Sequence, residues 1–100
     1  MSTFPGVYNL LDCSTGHLSE EDNATLSTKA YPKELIVREH PYGYWIHVPT
    51  EHEDYTEHIA NENIGQSIKD ILKYAFQREC LWVNLDMDAI LMDDLKSYEW

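Results

Sequence analysis

Apolar and polar positions alternate along Leu35 to Val48 with the period of a strand, and recur along Ile64 to Phe76 with the period of a helix. In ELIVREHPYGYWIHVP two β-rich runs, Leu35 to His40 and Tyr44 to Val48, flank Pro41-Tyr42-Gly43. Proline presets φ and glycine accepts a positive φ, so this stretch predicts a hairpin. Tyr44, Ile46 and Val48 share one face of its second strand, and Trp45 and His47 share the other. Further on, Ile64, Ile68, Ile71, Leu72, Ala75 and Phe76 cover one side of a predicted helix, with Lys69, Lys73 and Gln77 outside it. Asn63 with Gln66 resembles the capping pair that starts such a helix. LWVNLD then alternates again, with Leu81, Val83 and Leu85 against Trp82, Asn84 and Asp86, as in a half-buried strand.

Two weaker signals precede the hairpin. VYNLLDC, Val7 to Cys13, is short and apolar and ends in Ser-Thr-Gly, which predicts a strand. SEED, Ser19 to Asp22, offers a capping hydroxyl and three acids for a first helical turn, predicting a short helix from about Glu20 to Lys29. TEHEDYTEHIANEN has five acids and neither Lys nor Arg, and reads as a solvated loop with at most a helical turn. The order strand, helix, strand, strand, helix, strand predicts an α+β fold: a ferredoxin-like two-layer sandwich with a four-stranded antiparallel sheet and two helices on one face. Residues 1–100 read as one globular domain. In this strand order the first and last strands are antiparallel neighbours, which puts Asp12 at the opposite rim from Asp86 and Asp88 and Cys13 near Cys80. Other strand orders fit the same elements.

Charge narrows the partners. Eighteen Asp and Glu against seven Lys and Arg give a formal charge of −11, which repels phosphate backbones and anionic headgroups. No direct nucleic acid and no membrane partner is expected; the candidates are another protein, a basic surface among them, or a second copy of the chain, and the state is monomer or homodimer. The start of the chain carries neither a basic n-region nor a long apolar stretch, so a cytoplasmic location is expected. The two cysteines lack Cys-x-x-Cys spacing and read as reduced, buried thiols.

The candidate chemistry is thin. Asp86 and Asp88 leave a strand end together and could hold a divalent metal, with Asp93 and Asp94 as further ligands, yet the spacing is not that of an EF-hand. Acids that end a strand and turn the chain are the simpler reading. No pair of the five histidines has the i, i+4 spacing of a helical zinc motif. Ser14, Thr15 and His17 sit side by side without the context of an activated nucleophile, and a loop bonded to its own backbone explains them as well. The four glycines are scattered, so no phosphate-cradling loop is present. What remains is the sheet face away from the helices, where alternation displays Trp45, His47, Trp82 and Asn84, with Arg38 and His40 if Leu35 and Val37 point inward. Such a platform suits a partner protein, a dimer mate or stacked bases, and the charge opposes bases. The tail from Leu91 to Trp100, anchored by Leu91, Leu95 and Trp100, is the alternative occupant of that face.

Three segments, DCSTGHLSEEDN, PYGYWIHVP and CLWVNLDMDAILMDDLKSYEW, resemble those of a family of short uncharacterised proteins found in proteobacterial genomes, on phages and on plasmids. The resemblance spans Leu11 to Trp100. It lies in a Ser-Thr-x-His segment (Ser14, Thr15, His17), a Tyr-Gly-aromatic hairpin (Tyr42, Gly43), the Asp86-x-Asp88 pair and the closing Tyr98-Glu99-Trp100. It implies no activity, no catalytic residue and no cofactor. The reading that follows is a small acidic non-enzymatic protein-binding module. Its partner-binding residues are Trp45, His47 and Trp82 on the sheet, and Glu51, Glu53, Asp54 and Glu57 standing in for phosphates. One form of it is a mobile-element inhibitor of a host DNA-handling or defence system. The alternative is a small divalent-metal-binding enzyme or regulator using Asp86 and Asp88, and a self-associating accessory protein is a third reading.

Overall fold

The computed structural model describes residues 9–49 and 51–99, with backbone alone for His52, Asp54, His58 and Ile59. Along the chain come β1 (Asn9–Ser14), a 3-10 turn (Thr15–His17), α1 (Glu20–Ser27), β2 (Val37–His40) and β3 (Gly43–His47). Then follow α2 (His52–Ala60), α3 (Gln66–Gln77) and β4 (Cys80–Asp86). The fold is α+β, as the patterning predicts, and the hairpin, α1, α3 and β4 form where they are expected. The strand expected from Val7 is described only from Asn9, Val7 and Tyr8 lying outside the described residues.

The sheet itself differs from the expectation. Its order is β1-β4-β3-β2, and it is mixed: β3 pairs antiparallel with both β2 and β4, whereas β1 pairs parallel with β4. A ferredoxin-like, purely antiparallel sheet is therefore not what forms. Three strands run one way and β3 alone runs the other. The parallel edge pair brings the turn after β1 and the chain after β4 to the same rim, where Ser14 N donates to Ile90 O at 3.0 Å and Tyr98 N to Gly16 O at 2.8 Å. Those bonds reward the parallel arrangement and would be lost in the antiparallel one.

Among the described residues there are three helices rather than two. α2 takes the polar stretch expected to be a loop, because Tyr55 stacks on Phe76 of α3 with ring centroids 3.9 Å apart. The core lies between the helices and one sheet face. Leu18, Leu26, Ile68, Ile71 and Leu72 meet Cys13, Ile46, Val83 and Leu85 there, all fully buried. Each such aliphatic side chain contributes about 1.5–3 kcal/mol relative to an exposed one.

A polar joint fastens α1 to α3. The residue before α3 is Gly65, which has no side chain to cap the helix; Asp22 of α1 does so from across the interface. Its Oδ2 accepts from Ser67 N at 3.0 Å, from Ile68 N at 3.3 Å and from the Ser67 hydroxyl. Ser19, the N-cap of α1, accepts from Asp22 N at 3.1 Å and donates its own N–H to Ser67 Oγ at 3.0 Å. The SEED motif thus caps two helices, with a carboxylate at the positive end of the α3 dipole. Gly65 is required by that approach, since a Cβ there would stand 1.6 Å from Asp22 Oδ1. The Asn63 and Gln66 capping pair does not form; Asn63 N bonds Asn61 Oδ1 and Gln66 bonds Asp70.

Asp22→Ala and Gly65→Ala are each expected to lower the unfolding free energy by about 1–3 kcal/mol in urea titrations. Because both break one joint, the double variant should lose little more than the worse single one; full additivity would show that the two residues act separately.

Candidate functional site

The face of the sheet away from the helices is built by strict alternation. β1 contributes Leu10 and Asp12, β4 Trp82, Asn84 and Asp86, β3 Trp45 and His47, and β2 Arg38 and His40. Register sets them in rows: Leu10, Trp82 and His47 cross three strands, and Asp12, Asn84, Trp45 and Arg38 cross all four. Trp82 and His47 meet edge to face at 5.1 Å, and Trp45 lies tilted against His40 at 5.2 Å. Trp45 keeps 45% and Leu10 53% of its surface exposed. The face therefore carries the aromatic platform that alternation predicts. Leu10 and Asp12 were not expected on it; alternation with buried Leu11 and Cys13 turns them outward, and the parallel pairing of β1 sets their rows.

A directed chain of hydrogen bonds crosses this face. His40 Nε2 bonds Asn84 Oδ1 at 2.7 Å, and Asn84 Nδ2 donates to Asp12 Oδ1 at 2.9 Å. Tyr42 N donates to His40 Nδ1 at 3.2 Å. A carboxylate only accepts and a backbone N–H only donates, so the donors all point toward Asp12 and His40 is the neutral Nε2–H tautomer. His40 reaches Asn84 across Gly43, where a Cβ would lie 1.8 Å from the Leu85 carbonyl oxygen. The amide between imidazole and carboxylate orients both and passes no proton, so the chain is an orienting device and not an acid–base dyad.

Residues 10–100 match the model of the C-terminal domain of DUF5983, a family of unknown function. The chain belongs to that family. No curated protein and no solved structure matches it.

In this DUF5983 domain the remaining candidates take structural roles. Ser14 Oγ accepts from Gly16 N at 3.0 Å, the loop-closing bond weighed for the Ser-Thr-Gly-His segment. His17, 2% exposed, accepts the Met92 N–H at Nε2 (2.8 Å) and donates from Nδ1 to Lys96 O (3.0 Å). It is a buried bridge between the turn and the tail. Met92 and Leu95 pack on the core, while Leu91, expected to anchor the tail, is 56% exposed; Trp100 lies outside the described residues. Residues 90–98 are thus fastened to the turn after β1, and they do not hide Trp45.

Asp86 Oδ1 accepts from Asp88 N at 2.8 Å and Asp86 O from Ala89 N at 3.1 Å, so the pair closes a turn at the strand end. Parallel register sets Ser14 opposite Asp86 and Asp12 opposite Asn84, which corrects the opposite-rim placement of Asp12. Among the described residues no three His, Cys, Asp or Glu side chains group as metal ligands. Cys13 pairs with Leu85 while Cys80 pairs with Asn9, so the two thiols are not neighbours and both are free and buried. Burial, and then the charge of Asp12, push the Cys13 thiol up to about 12, and burial raises Cys80 too. Neither is a nucleophile at neutral pH. Glu53 and Glu57 are exposed on α2 and Glu51 is exposed just ahead of it, in the helix layer. They form a surface separate from the indoles; the Asp54 side chain lies outside the described residues.

His17→Ala should release the tail, raising amide exchange at Met92 and Tyr98 by about tenfold or more while β4 stays protected; unchanged exchange would refute the bridge. A second expectation concerns pH. An unfolded thiol ionises near 9.0 while folded Cys13 holds its proton to about 12. Its contribution to stability is therefore complete below pH 9 and declines as pH rises from there. Urea unfolding at about pH 7.5 and about pH 10 should show this decline, and Cys13→Ala should make it shallower. An equal decline in the variant would assign it to other groups.

Proposed function

We propose that this domain is a small acidic, non-enzymatic recognition module that holds another protein on the open face of its sheet. One observation carries the reading: Trp45, Trp82 and Leu10 stand on a face that the described helices and tail leave open, beside a polar chain already fixed in direction. A face with ordered side chains loses little entropy when a partner docks, and exposed indoles supply most of the contact energy. Among the described residues of this face no nucleophile is paired with a base, because Cys13 faces the core and Asn84 separates His40 from Asp12. The charge of −11 favours a partner with a basic surface and disfavours nucleic acid and anionic membrane. Glu51, Glu53 and Glu57 form a second acidic surface at and just ahead of α2 that would steer such a partner. A concrete form is a cytoplasmic inhibitor, carried by a mobile element, that occupies the DNA-handling surface of a host protein. The competing proposal, a divalent metal at Asp86 and Asp88, has less support, since Asp86 Oδ1 is taken by Asp88 N.

Tagged protein used as bait in bacterial lysate, at low and high salt, tests the reading. A stoichiometric protein should be captured, released by salt, and lost from the Trp45→Ala/Trp82→Ala variant. Capture that survives in this variant but fails in Glu51→Gln/Glu53→Gln/Glu57→Gln would move the interface to α2. No captured protein, together with a thermal shift in Mg²⁺ or Mn²⁺ abolished by Asp86→Asn, would replace the reading with the metal one.

A further inference from the structure

We propose that the cleft between Trp45 and Trp82 receives an arginine side chain of the partner protein, with Asp12 as its counter-ion. The proposal rests on the recognition role given to the open face and names what that face reads. The cleft, about 260 Å³ in volume, is lined by Asn9, Leu10, Trp45 and Trp82. Its walls come from three strands, with Leu10 of β1 opposite Trp82 of β4 and Trp45 of β3 one row along. An indole face carries partial negative charge, and a planar, weakly hydrated guanidinium stacks on it better than a compact ammonium does.

An apolar side chain would also be buried in such a cleft; the fixed carboxylate decides for a cation. Asp12 lies two residues beyond Leu10 on the same face, about 7 Å along the strand. Asn84 Nδ2 holds its Oδ1 at 2.9 Å, and His40 holds Asn84 in turn at 2.7 Å. Two side chains from two other strands are thus committed to orienting one exposed carboxylate, one row along from Trp82 and in the same row as Trp45. A carboxylate already oriented pairs with a guanidinium at small entropic cost, and the fork geometry of the cation suits it. The like-charged Arg38 of β2 is level with Trp45 but outside the cleft lining, with its Nη1 turned to the Val37 carbonyl at 3.4 Å. A second copy of the chain is the poorer occupant, since each copy carries −11.

The test uses the full chain with Trp100→Phe, so that Trp45 and Trp82 are the only indoles, and excites them selectively over tyrosine. It is titrated with three capped synthetic peptides that differ at one central position: arginine, lysine or citrulline, the last being the neutral isostere of arginine. The arginine peptide should give a saturable change in emission, with citrulline weaker by about tenfold and lysine between them. Asp12→Asn, its fold checked by circular dichroism, should cut the preference for arginine over citrulline to the part the indoles supply. Equal binding of arginine and citrulline peptides, no binding of either, or a preference undiminished by Asp12→Asn would overturn the proposal. Capture of the natural partner is scored separately. If Trp45→Ala abolishes capture while the peptides show no arginine preference, the arginine assignment falls and the recognition role stands.

Discussion

The parallel pairing of β1 with β4 is the constraint on which the rest of this structure depends. β4 sits inside the sheet, with Val83 and Leu85 fully buried beneath the helices, and its two neighbours read it in opposite directions. The antiparallel side fixes the hairpin against it. The parallel side brings Asp12 level with Asn84 and Leu10 level with Trp82, and so assembles on the outer face a constellation that no single strand contains. The same pairing sets the turn after β1 beside the chain leaving β4, where His17 and the Gly16 carbonyl bind the tail. A slip of one residue in β1 would turn Asp12 into the core and Cys13 out of it.

Much of this was legible in the residues, and the unread part has a common cause. Alternation in Leu35 to Val48 and in Leu81 to Asp86 placed Trp45, His47, Trp82, Asn84, Arg38 and His40 on the right face, because period-two patterning is local. Strand order is not local. β1 is six residues long, and its position relative to β4 is settled by bonds between segments some seventy residues apart, such as Ser14 to Ile90. The cap that Asp22 gives α3 has the same character: SEED signals its own helix plainly, and its second role appears only when Gly65 arrives beside it. α2 escaped notice because its apolar content is small and Tyr55 needed Phe76 to stack on. The tail has no strand or helix period to read, being held by backbone bonds to the turn after β1, by the buried His17 imidazole and by Met92 and Leu95 against the core.

These details bear on function through the division of labour between the two sheet faces. The inner face is an ordinary aliphatic core, closed by a polar joint between helices. The outer face places indoles beside a carboxylate whose direction is set by an amide and an imidazole, an arrangement suited to holding rather than to reacting. The acidic helix α2 lies in the other layer, so in the proposed recognition role long-range attraction and close recognition would fall to separate surfaces. Attraction of that kind would speed encounter, and the indoles would then decide which partner stays.

The central claim is that the outer sheet face is the surface a partner occupies, and site-specific photo-crosslinking in cells tests it most directly. With a benzophenone side chain at Leu10 or Ile36 on the sheet side, and at Lys73 on α3 as the opposite-layer control, the account predicts one discrete protein adduct from the first two positions and none from the third. An adduct formed from Lys73 alone would contradict it.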